Sequence, residues 1–495
     1  MAFKLEARGH HEMAALADLV RLFFGQAERI GDSSLTAPSD LNLFLTSAVD
    51  PPISAGKARL VSRSGRSDQE VRVTSRLEGK QADMVSERIP LHLLRRVLKR
   101  QLYLLLSRAT GLDFPWGSLT GVRPTQIALE VINQSGEDQA AAILSDYWRL
   151  SGSKAALAVK TALAEDATLR QLEEDDVMLY VGLPFCPGRC LYCSFITQDA
   201  GRQEGSLVHY VDAVIREAGG IFTGRFPGKI RAVYYGGGTP TSLPPALFRR
   251  YLEEVLALAP LKQGAELTME AGRPDTLDRE KLEIIRDCGF QRLCINPQTM
   301  HDETLRRIGR HHTTDQTVAS FRLARSLGFT DINMDLIAGL PGESTSDLLD
   351  SVKRVLELNP EHITLHTLAV KKGSYLDRLF DDHGALLPDP VLIEAVGEAH
   401  RLLGQAGFRP YYLYKQKNCR SGLENTGFTR LAGSLYNVAM MSDQVPVVGL
   451  GSGSTSKVIL ERTARRLHNP KDLRLYIERV DRQVAAKRSL FLSES

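Results

Sequence analysis

The chain has 495 residues, of which 43% are apolar and 24% are charged, and both values are ordinary for globular proteins. Its 62 Lys and Arg residues nearly balance its 59 Asp and Glu residues, which leaves a net charge of +3. This balance excludes an extended basic surface for nucleic acid, and no apolar run reaches the ~18 residues of a membrane-spanning helix. Residues 1–6 contain no signal-peptide core, so a cytoplasmic protein is predicted.

Residues 1–175 are predicted to form a separate α+β domain of unknown role. Apolar residues recur at helical spacing in four stretches, at 11–24, 91–108, 139–150 and 154–172. Short β-type runs occur at 41–49, 59–64 and 70–75. A turn-rich segment around Trp116, Gly121 and Pro124 separates the second helix from the third.

The pattern of the sequence changes at residue 176. Six β-type runs follow, at 177–183, 230–235, 266–270, 292–295, 331–337 and 362–368. Helical patterns lie between most of them, at 207–222, 244–258, 279–288, 314–327 and 345–358. This alternation predicts an α/β domain over residues 176–375, with a parallel sheet that is either doubly wound or a full or partial barrel. In all these folds, ligands bind at the carboxyl ends of the strands.

Residues 376–495 have a mixed pattern and are predicted to form a small C-terminal region that completes the substrate site. A helix is expected at 392–406 and a strand at 411–414. A glycine-rich turn at 449–454 follows a short apolar run.

The cysteines are the most informative residues of the chain. Cys186, Cys190 and Cys193 share one loop, directly after the first strand of residues 176–375. Clustered cysteines in an intracellular chain indicate metal binding or redox chemistry rather than disulfides. Three thiolates can hold a [4Fe–4S] cluster and leave one iron open, whereas a zinc knuckle would need a distant fourth ligand. The other three cysteines are predicted to be packed thiols: Cys288, Cys294 and Cys419.

The CxxxCxxC spacing resembles the signature of the radical S-adenosylmethionine superfamily, and later segments agree with it. The glycine segment at 236–240 follows the second strand, where its backbone can approach a bound group closely. In this superfamily, that group is the methionine amino group. Polar residues near the next strands offer an acid for the ammonium, an arginine for the carboxylate and hydrogen-bonding groups for the ribose: Glu270, Gln298, Arg310 and Asp335.

Together these segments resemble the oxygen-independent coproporphyrinogen III oxidase family over about residues 176–375. The resemblance implies a partial (β/α)6 barrel of the radical S-adenosylmethionine type, with the cluster held by Cys186, Cys190 and Cys193. It also implies one or two molecules of S-adenosylmethionine, contacted by Tyr180, Gly238, Thr239, Glu270, Gln298, Arg310, Asp335 and the backbone of Ala369. Four flanking segments resemble the HemZ branch of this family: 116–125, 410–418, 424–427 and 449–457.

The resemblance implies an oxidoreductase of heme and porphyrin biosynthesis with a tetrapyrrole substrate, coproporphyrinogen III. A flavodoxin or ferredoxin would donate the electron, and a 5′-deoxyadenosyl radical would take a hydrogen from a propionate β-carbon. Loss of carbon dioxide and one electron would turn each of two propionates into a vinyl group, which yields protoporphyrinogen IX. No catalytic residue of the chain is assigned to this step.

Basic side chains are needed to bind the four propionates of such a substrate. Each candidate is, by itself, typical of ordinary surface charge: Arg123, Lys371, Lys372, Lys415, Lys417 and Arg420. Two histidine pairs could reach a heme but are interpreted as surface residues: His10 with His11, and His311 with His312.

The chain departs from the oxidase pattern in ways that keep other functions open. Phe195 stands where the best-characterised oxidases have a fourth cysteine, and the heme-chaperone branch shares this change. Gly182 stands where those oxidases have a histidine. The alternatives are therefore a heme-binding chaperone without oxidase activity, or a radical enzyme that acts on another substrate.

Overall fold

The computed structural model describes most of the chain. The described residues are 2–24, 28–30, 34–38, 43–51, 69–78, 82–121, 123–193, 198–200, 204–370, 376, 389–416, 419–460 and 463–492. Within them, the strands form sheets of six and eleven strands and a two-stranded ribbon. No helix in these ranges combines the length and the apolar character needed to cross a membrane.

The N-terminal part forms a six-stranded sheet with two helices on one face. Its strands are β1 (Ala2–Arg8), β2 (Glu28–Ile30), β3 (Ser34–Pro38), β4 (Leu43–Asp50), β5 (Glu70–Glu78) and β6 (Asp83–Pro90). The order is β2-β3-β1-β4-β5-β6, with β1 and β4 parallel and the other neighbours antiparallel. Helices α1 (Met13–Phe24) and α2 (Leu94–Thr110) pack on it around Val73, Leu98 and Tyr103.

The structure confirms the predicted strands at β4 and β5, and adds β1, β2, β3 and β6. Strand β6 escaped prediction because it lies at the sheet edge, where most of its residues stay partly or fully exposed and the sequence DMVSERIP carries little apolar alternation. The strand predicted at 59–64 lies outside the described residues.

A helical segment connects this sheet to the rest of the chain. It contains α3 (Pro124–Ser135), α4 (Glu137–Asp146) and α5 (Gly152–Leu169). The last two were predicted, whereas α3 begins inside the segment predicted as a turn, with Pro124 at its first position, where the missing N–H costs nothing. Trp116 and Trp148 form its core together with Leu413 from the C-terminal region.

The predicted α/β alternation is confirmed after residue 175. The strands are β7 (Asp176–Leu183), β8 (Phe185–Cys186), β9 (Gln198–Asp199), β10 (Lys229–Gly237), β11 (Leu261–Glu270), β12 (Arg292–Cys294), β13 (Asp331–Ala338) and β14 (His362–Thr367). Six of them pair in parallel in the order β7-β10-β11-β12-β13-β14. The helices are α6 (Glu204–Phe222), α7 (Pro245–Leu258), α8 (Arg279–Asp287), α9 (Asp302–Arg307), α10 (Thr314–Ser326) and α11 (Thr345–Leu358).

C-terminal strands extend this sheet at both edges. The later elements are α12 (Asp389–Gln405), β15 (Arg409–Lys415), β16 (Glu424–Thr429), α13 (Leu435–Met441), β17 (Val447–Leu450), β18 (Thr455–Leu460), β19 (Thr463–His468), α14 (Leu473–Glu478) and α15 (Val480–Leu492). Strand β16 pairs with β14 and carries β15, whereas β17 pairs with β7 and carries β18 and β19. The described residues after 375 therefore share one sheet with residues 176–375, and the boundaries at 175 and 375 stay our interpretation of the sequence.

Candidate functional site

The carboxyl ends of the parallel strands open into a cavity of about 600 Å³. Every residue that the sequence assigned to the cluster or to S-adenosylmethionine lines it: Tyr180, Cys186, Cys190, Cys193, Gly238, Thr239, Glu270, Gln298, Arg310, Asp335 and Ala369. Residues nearly 190 positions apart in the chain thus meet around one space. The role of each stays a prediction.

Hydrogen bonds hold the cysteine loop against the glycine segment that follows β10. Cys186 ends β8, which pairs in parallel with β9. The Thr239 amide donates to the Phe185 carbonyl at 2.7 Å, and the Thr239 hydroxyl donates to the Cys186 sulfur at 3.5 Å. Burial raises the pKa of the Cys186 thiol to about 11, so only a positive centre such as iron would favour its thiolate at neutral pH.

The donor chemistry of the loop fits an iron–sulfur cluster. Within the described ranges, no three His, Cys, Asp or Glu side chains are gathered closely enough to hold a single metal ion. In a [4Fe–4S] cluster each thiolate binds a different iron, so the three sulfurs stand further apart than the ligands of one zinc ion. Cys186, Cys190 and Cys193 on one cavity wall therefore suit a cluster that keeps one iron for another ligand.

Two glycines at the end of β10, Gly236 within the strand and Gly238 just after it, lie so close to neighbouring atoms that no residue with a Cβ atom would fit without displacement. A Cβ atom at Gly236 would lie 2.3 Å from a carboxylate oxygen of Glu270. A Cβ atom at Gly238 would lie 2.4 Å from the carbonyl oxygen of Phe185. Any larger residue would therefore displace either the acid or the strand that carries the first cysteine.

Glu270 and Arg310 offer the two charges that the amino acid end of S-adenosylmethionine requires. Glu270 is shielded from bulk solvent but partly exposed to the cavity, and burial, reinforced by Asp335, raises its pKa from 4.5 to about 7. Arg310 is 4% exposed. Its Nη1 donates to the Tyr192 hydroxyl at 3.1 Å, and its buried Nε finds no acceptor among the described residues. A bound carboxylate would supply that acceptor.

Hydrogen bonds from its neighbours keep Asp335 ionised. Its Oδ1 accepts from the Asn333 amide at 2.7 Å, and its Oδ2 lies 3.5 Å from Nε2 of His366. Burial alone would raise the pKa of Asp335, but the hydrogen bonds from His366, Asn333 and Thr364, together with the charge of His366, lower that pKa. Gln298 adopts a left-handed φ of 69°, and its backbone N–H donates to the backbone carbonyl of Asp335 at 2.9 Å. These contacts hold Asp335 and Gln298 at the cavity, where both residues could form hydrogen bonds with the hydroxyl groups of a ribose.

His366 and an aromatic wall also line the cavity, and neither was predicted from the sequence. His366 lies near the end of β14 and lines the cavity, so its position at a strand end was the signal that could have found it. The wall consists of Tyr234, Tyr412, Tyr414 and Tyr436. The rings of Tyr234 and Tyr436 stack on one another with centroids 4.8 Å apart.

The interpretation of the histidine pairs as surface residues is wrong for one member of each pair. His10 is 4% exposed, and its Nε2 lies 3.1 Å from the Ser47 hydroxyl. His312 is 2% exposed. His11 and His311 are exposed, as predicted.

None of the candidate propionate-binding cations in the described ranges lines the cavity. Arg123 and Arg420 form ion pairs with carboxylates. Lys415 is 6% exposed and donates to the Leu119 carbonyl at 2.9 Å, so its interpretation as a surface charge is wrong. The others lie outside the described residues: Lys371, Lys372 and Lys417.

The packed-thiol prediction is confirmed for Cys294 and Cys419, which are buried, and Cys288 is half-buried. Cys294 also lines the cavity, at the end of β12. Burial raises the pKa of the Cys294 thiol far above its usual value, so this side chain stays protonated.

Comparison with known proteins decides the family. Residues 180–355 match the family model of the radical SAM superfamily. The chain is 37% identical over 392 residues to the oxygen-independent coproporphyrinogen-III oxidase-like protein HemZ of Bacillus subtilis (strain 168), and the match covers 76% of this chain and 77% of that protein. The chain belongs to the oxygen-independent coproporphyrinogen III oxidase-like family of the radical SAM superfamily.

Two further similarities show the breadth of this family. The heme chaperone HemW of Escherichia coli (strain K12) is 30% identical over 236 residues, which are 47% of this chain and 60% of that protein. The structure of the coproporphyrinogen III oxidase HemN from Escherichia coli superposes with a TM-score of 0.53 at 24% identity, over 65% of this chain and 73% of that one. The latter confirms the predicted α/β radical SAM fold. Membership of this superfamily implies a [4Fe–4S] cluster and S-adenosylmethionine.

Proposed function

We propose that this chain is a radical S-adenosylmethionine enzyme that decarboxylates coproporphyrinogen III oxidatively to protoporphyrinogen IX without oxygen. The observation that carries the proposal is the convergence of three thiols, a buried acid and a buried, incompletely bonded arginine around one cavity. When bound, the cluster and S-adenosylmethionine supply reductive C–S cleavage and hydrogen-atom abstraction, and the protein supplies placement and exclusion of solvent.

In this proposal Cys186, Cys190 and Cys193 hold the cluster, and the chain positions S-adenosylmethionine through three groups. The Glu270 carboxylate binds the ammonium, and its pKa of about 7 falls when that cation arrives. The Arg310 guanidinium binds the carboxylate. Hydrogen-bonding and backbone groups bind the remainder of the cofactor: Tyr180, Gly238, Thr239, Gln298, Asp335 and Ala369.

The aromatic wall supports a tetrapyrrole as the substrate, because tyrosine rings can pack against its pyrrole rings. Tyr412, Tyr414 and Tyr436 come from the C-terminal strands and helix, so they border the cavity from outside the six parallel strands. Stacked rings offer large apolar contact at small conformational cost. Similarity to HemZ favours coproporphyrinogen III within this class. A small flavodoxin or ferredoxin is the proposed electron donor.

A heme chaperone is the second candidate function. Two observations favour it: the similarity to HemW, and Phe195 in place of a fourth cysteine. Such a protein would keep the cluster and bind heme without turning over coproporphyrinogen III.

Anaerobic turnover separates the two functions. The full chain would be reconstituted with iron and sulfide, supplied with dithionite, S-adenosylmethionine and coproporphyrinogen III, and assayed for 5′-deoxyadenosine and protoporphyrinogen IX by chromatography. The oxidase proposal predicts both products, their loss in Cys190→Ala, and their retention in the control Cys288→Ala, whose thiol lies outside the cavity. 5′-Deoxyadenosine without porphyrin change would reject this substrate. Tight stoichiometric heme binding with neither product would establish the chaperone.

A further inference from the structure

A buried arginine points at one of the three thiols of the cysteine loop, and the cofactor assignments above give it no role. Arg273 follows β11 and is 4% exposed, yet it lines the cavity. Its Nη1 lies 3.8 Å from the sulfur of Cys190, within hydrogen-bond range for sulfur. The Arg273 guanidinium is thus both a positive charge and a donor beside one of the proposed cluster ligands.

Asp275 fixes the direction of this guanidinium. Nε of Arg273 donates to Oδ1 of Asp275 at 3.0 Å, and Nη2 donates to Oδ2 at 3.0 Å. This fork uses one edge of the planar group and leaves Nη1 directed at the thiol. The backbone is held as well, because the Thr276 hydroxyl donates to the Arg273 carbonyl at 2.8 Å.

The charges around this pair are few. His312 lies behind Asp275, with Nδ1 3.9 Å from Oδ1, and burial lowers the His312 pKa to about 3, so its ring is neutral. Burial alone would raise the pKa of Asp275, but the hydrogen bond and the charge of Arg273, with smaller contributions from other neighbours, together lower that pKa. The Arg273 guanidinium therefore faces the Cys190 thiol as a fixed cation, and the Asp275 carboxylate lies behind it as a fixed anion.

Reduction adds one negative charge to an iron–sulfur cluster. A nearby cation and a hydrogen bond to a ligand sulfur stabilise the reduced form and raise the reduction potential. An anion further away offsets part of that effect. The charge of Arg273 would act on the cluster through the Cys190 ligand.

We propose that Arg273 is a positioning residue that raises the reduction potential of the cluster through the Cys190 thiolate, and that Asp275 orients it and limits its effect. This inference rests on the cluster assignment of the proposed function. The segment Gly272–Asp275 then sets, together with the cysteines, how readily the cluster accepts an electron.

The test is an anaerobic redox titration of the reconstituted full chain, followed by the electron paramagnetic resonance signal of the reduced cluster. Arg273→Gln should lower the ratio of reduced to oxidised cluster about tenfold at the wild-type midpoint, which is ~59 mV for one electron. Asp275→Asn should raise the midpoint potential, because it removes the anion that limits the effect of Arg273. Arg250→Gln is the matched control, since Arg250 is also paired with carboxylates, those of Asp212 and Glu254, but lies on the outer helix α7, and it should leave the midpoint unchanged.

Iron and sulfide content separates failure of this inference from failure of the proposed function. A wild-type chain that binds no cluster would overturn both. A full cluster with an unmoved midpoint in Arg273→Gln would overturn this inference alone, as would equal shifts in the same direction for Arg273→Gln and Asp275→Asn. If Arg273→Gln assembles no cluster, Asp275→Asn decides: a raised midpoint potential would support the inference, and an unmoved or lowered one would overturn it.

Discussion

Two shielded carboxylates, one between the helical segment and the large sheet and one at the cavity, differ in the direction of their pKa shifts. Glu424 on β16 accepts from the Lys154 ammonium on α5 and from the Trp116 indole at 2.5 Å. Burial alone would raise the pKa of Glu424, but Lys154, His400 and the Trp116 hydrogen bond together lower that pKa to about 2. Glu270 has no cation as a direct partner among the described residues, and its pKa rises to about 7.

The difference separates a structural charge from one that is suited to a ligand. Around Glu424 the chain completes its own ion pair between the helical segment and the large sheet. Around Glu270 the chain leaves the pair incomplete, at a cavity that a cation can enter. A buried acid without its counter-charge is a marker of a functional site because the missing charge must come from elsewhere.

The largest effect is expected when the ion pair of Lys154 and Glu424 is broken. Lys154→Met leaves Glu424 buried without its cation, which should cost about 3–5 kcal/mol in free energy of unfolding. Urea denaturation measures it as a lower midpoint. Lys160→Met on the exposed face of the same helix is the control and should change stability by less than about 0.5 kcal/mol. Equal midpoints for the two variants would contradict the structural role of the pair.

Glu270→Gln tests the other side of the comparison. It removes the charge that the ammonium needs, so affinity for S-adenosylmethionine should fall by about 2–3 kcal/mol, roughly 30- to 150-fold. Calorimetric titration of the reconstituted chain measures this loss. Stability should not fall, because an uncompensated charge is removed. Glu343→Gln, at a buried acid that accepts from Thr299 outside the cavity, should keep wild-type affinity, and an equal loss there would refute the assignment.

The smallest expected effect is in the pH dependence. Binding of the ammonium needs ionised Glu270, so below pH 7 the affinity should fall by up to tenfold per pH unit, and Glu270→Gln should flatten this profile. A wild-type profile that is equally flat between pH 5.5 and 7 would argue against the pairing.

The two acids also predict opposite effects of pH on stability. Because the folded-state pKa of Glu270 is raised, the folded chain binds more protons between about 4.5 and 7, and this group lowers stability as pH rises through that window. The pKa of Glu424 is lowered, so its stabilising effect is present above about 4.5 and is lost as pH falls towards about 2.

Much of the site was predictable because its residues follow strand ends. In a parallel sheet these ends meet at one edge, so Glu270, Asp335 and the cysteine loop were expected together before any coordinates were known. Arg273 and His366 were missed although they occupy the same edge. A single polar residue in a sequence does not indicate which residue it will contact. The contacts of Arg273 with Cys190 and of His366 with Asp335 form only when the strands pair.

By itself the sequence determined the α/β alternation, the three-cysteine loop and the family, because periodicity, ligand spacing and local motifs are written in short stretches of chain. The tertiary structure alone decided which charges are completed and which are left open. Lys154 and Glu424 are 270 positions apart in the sequence, so packing rather than a local sequence pattern brings them together. The pKa of each acid then follows from its surroundings, since burial and neighbouring charge are properties of the fold.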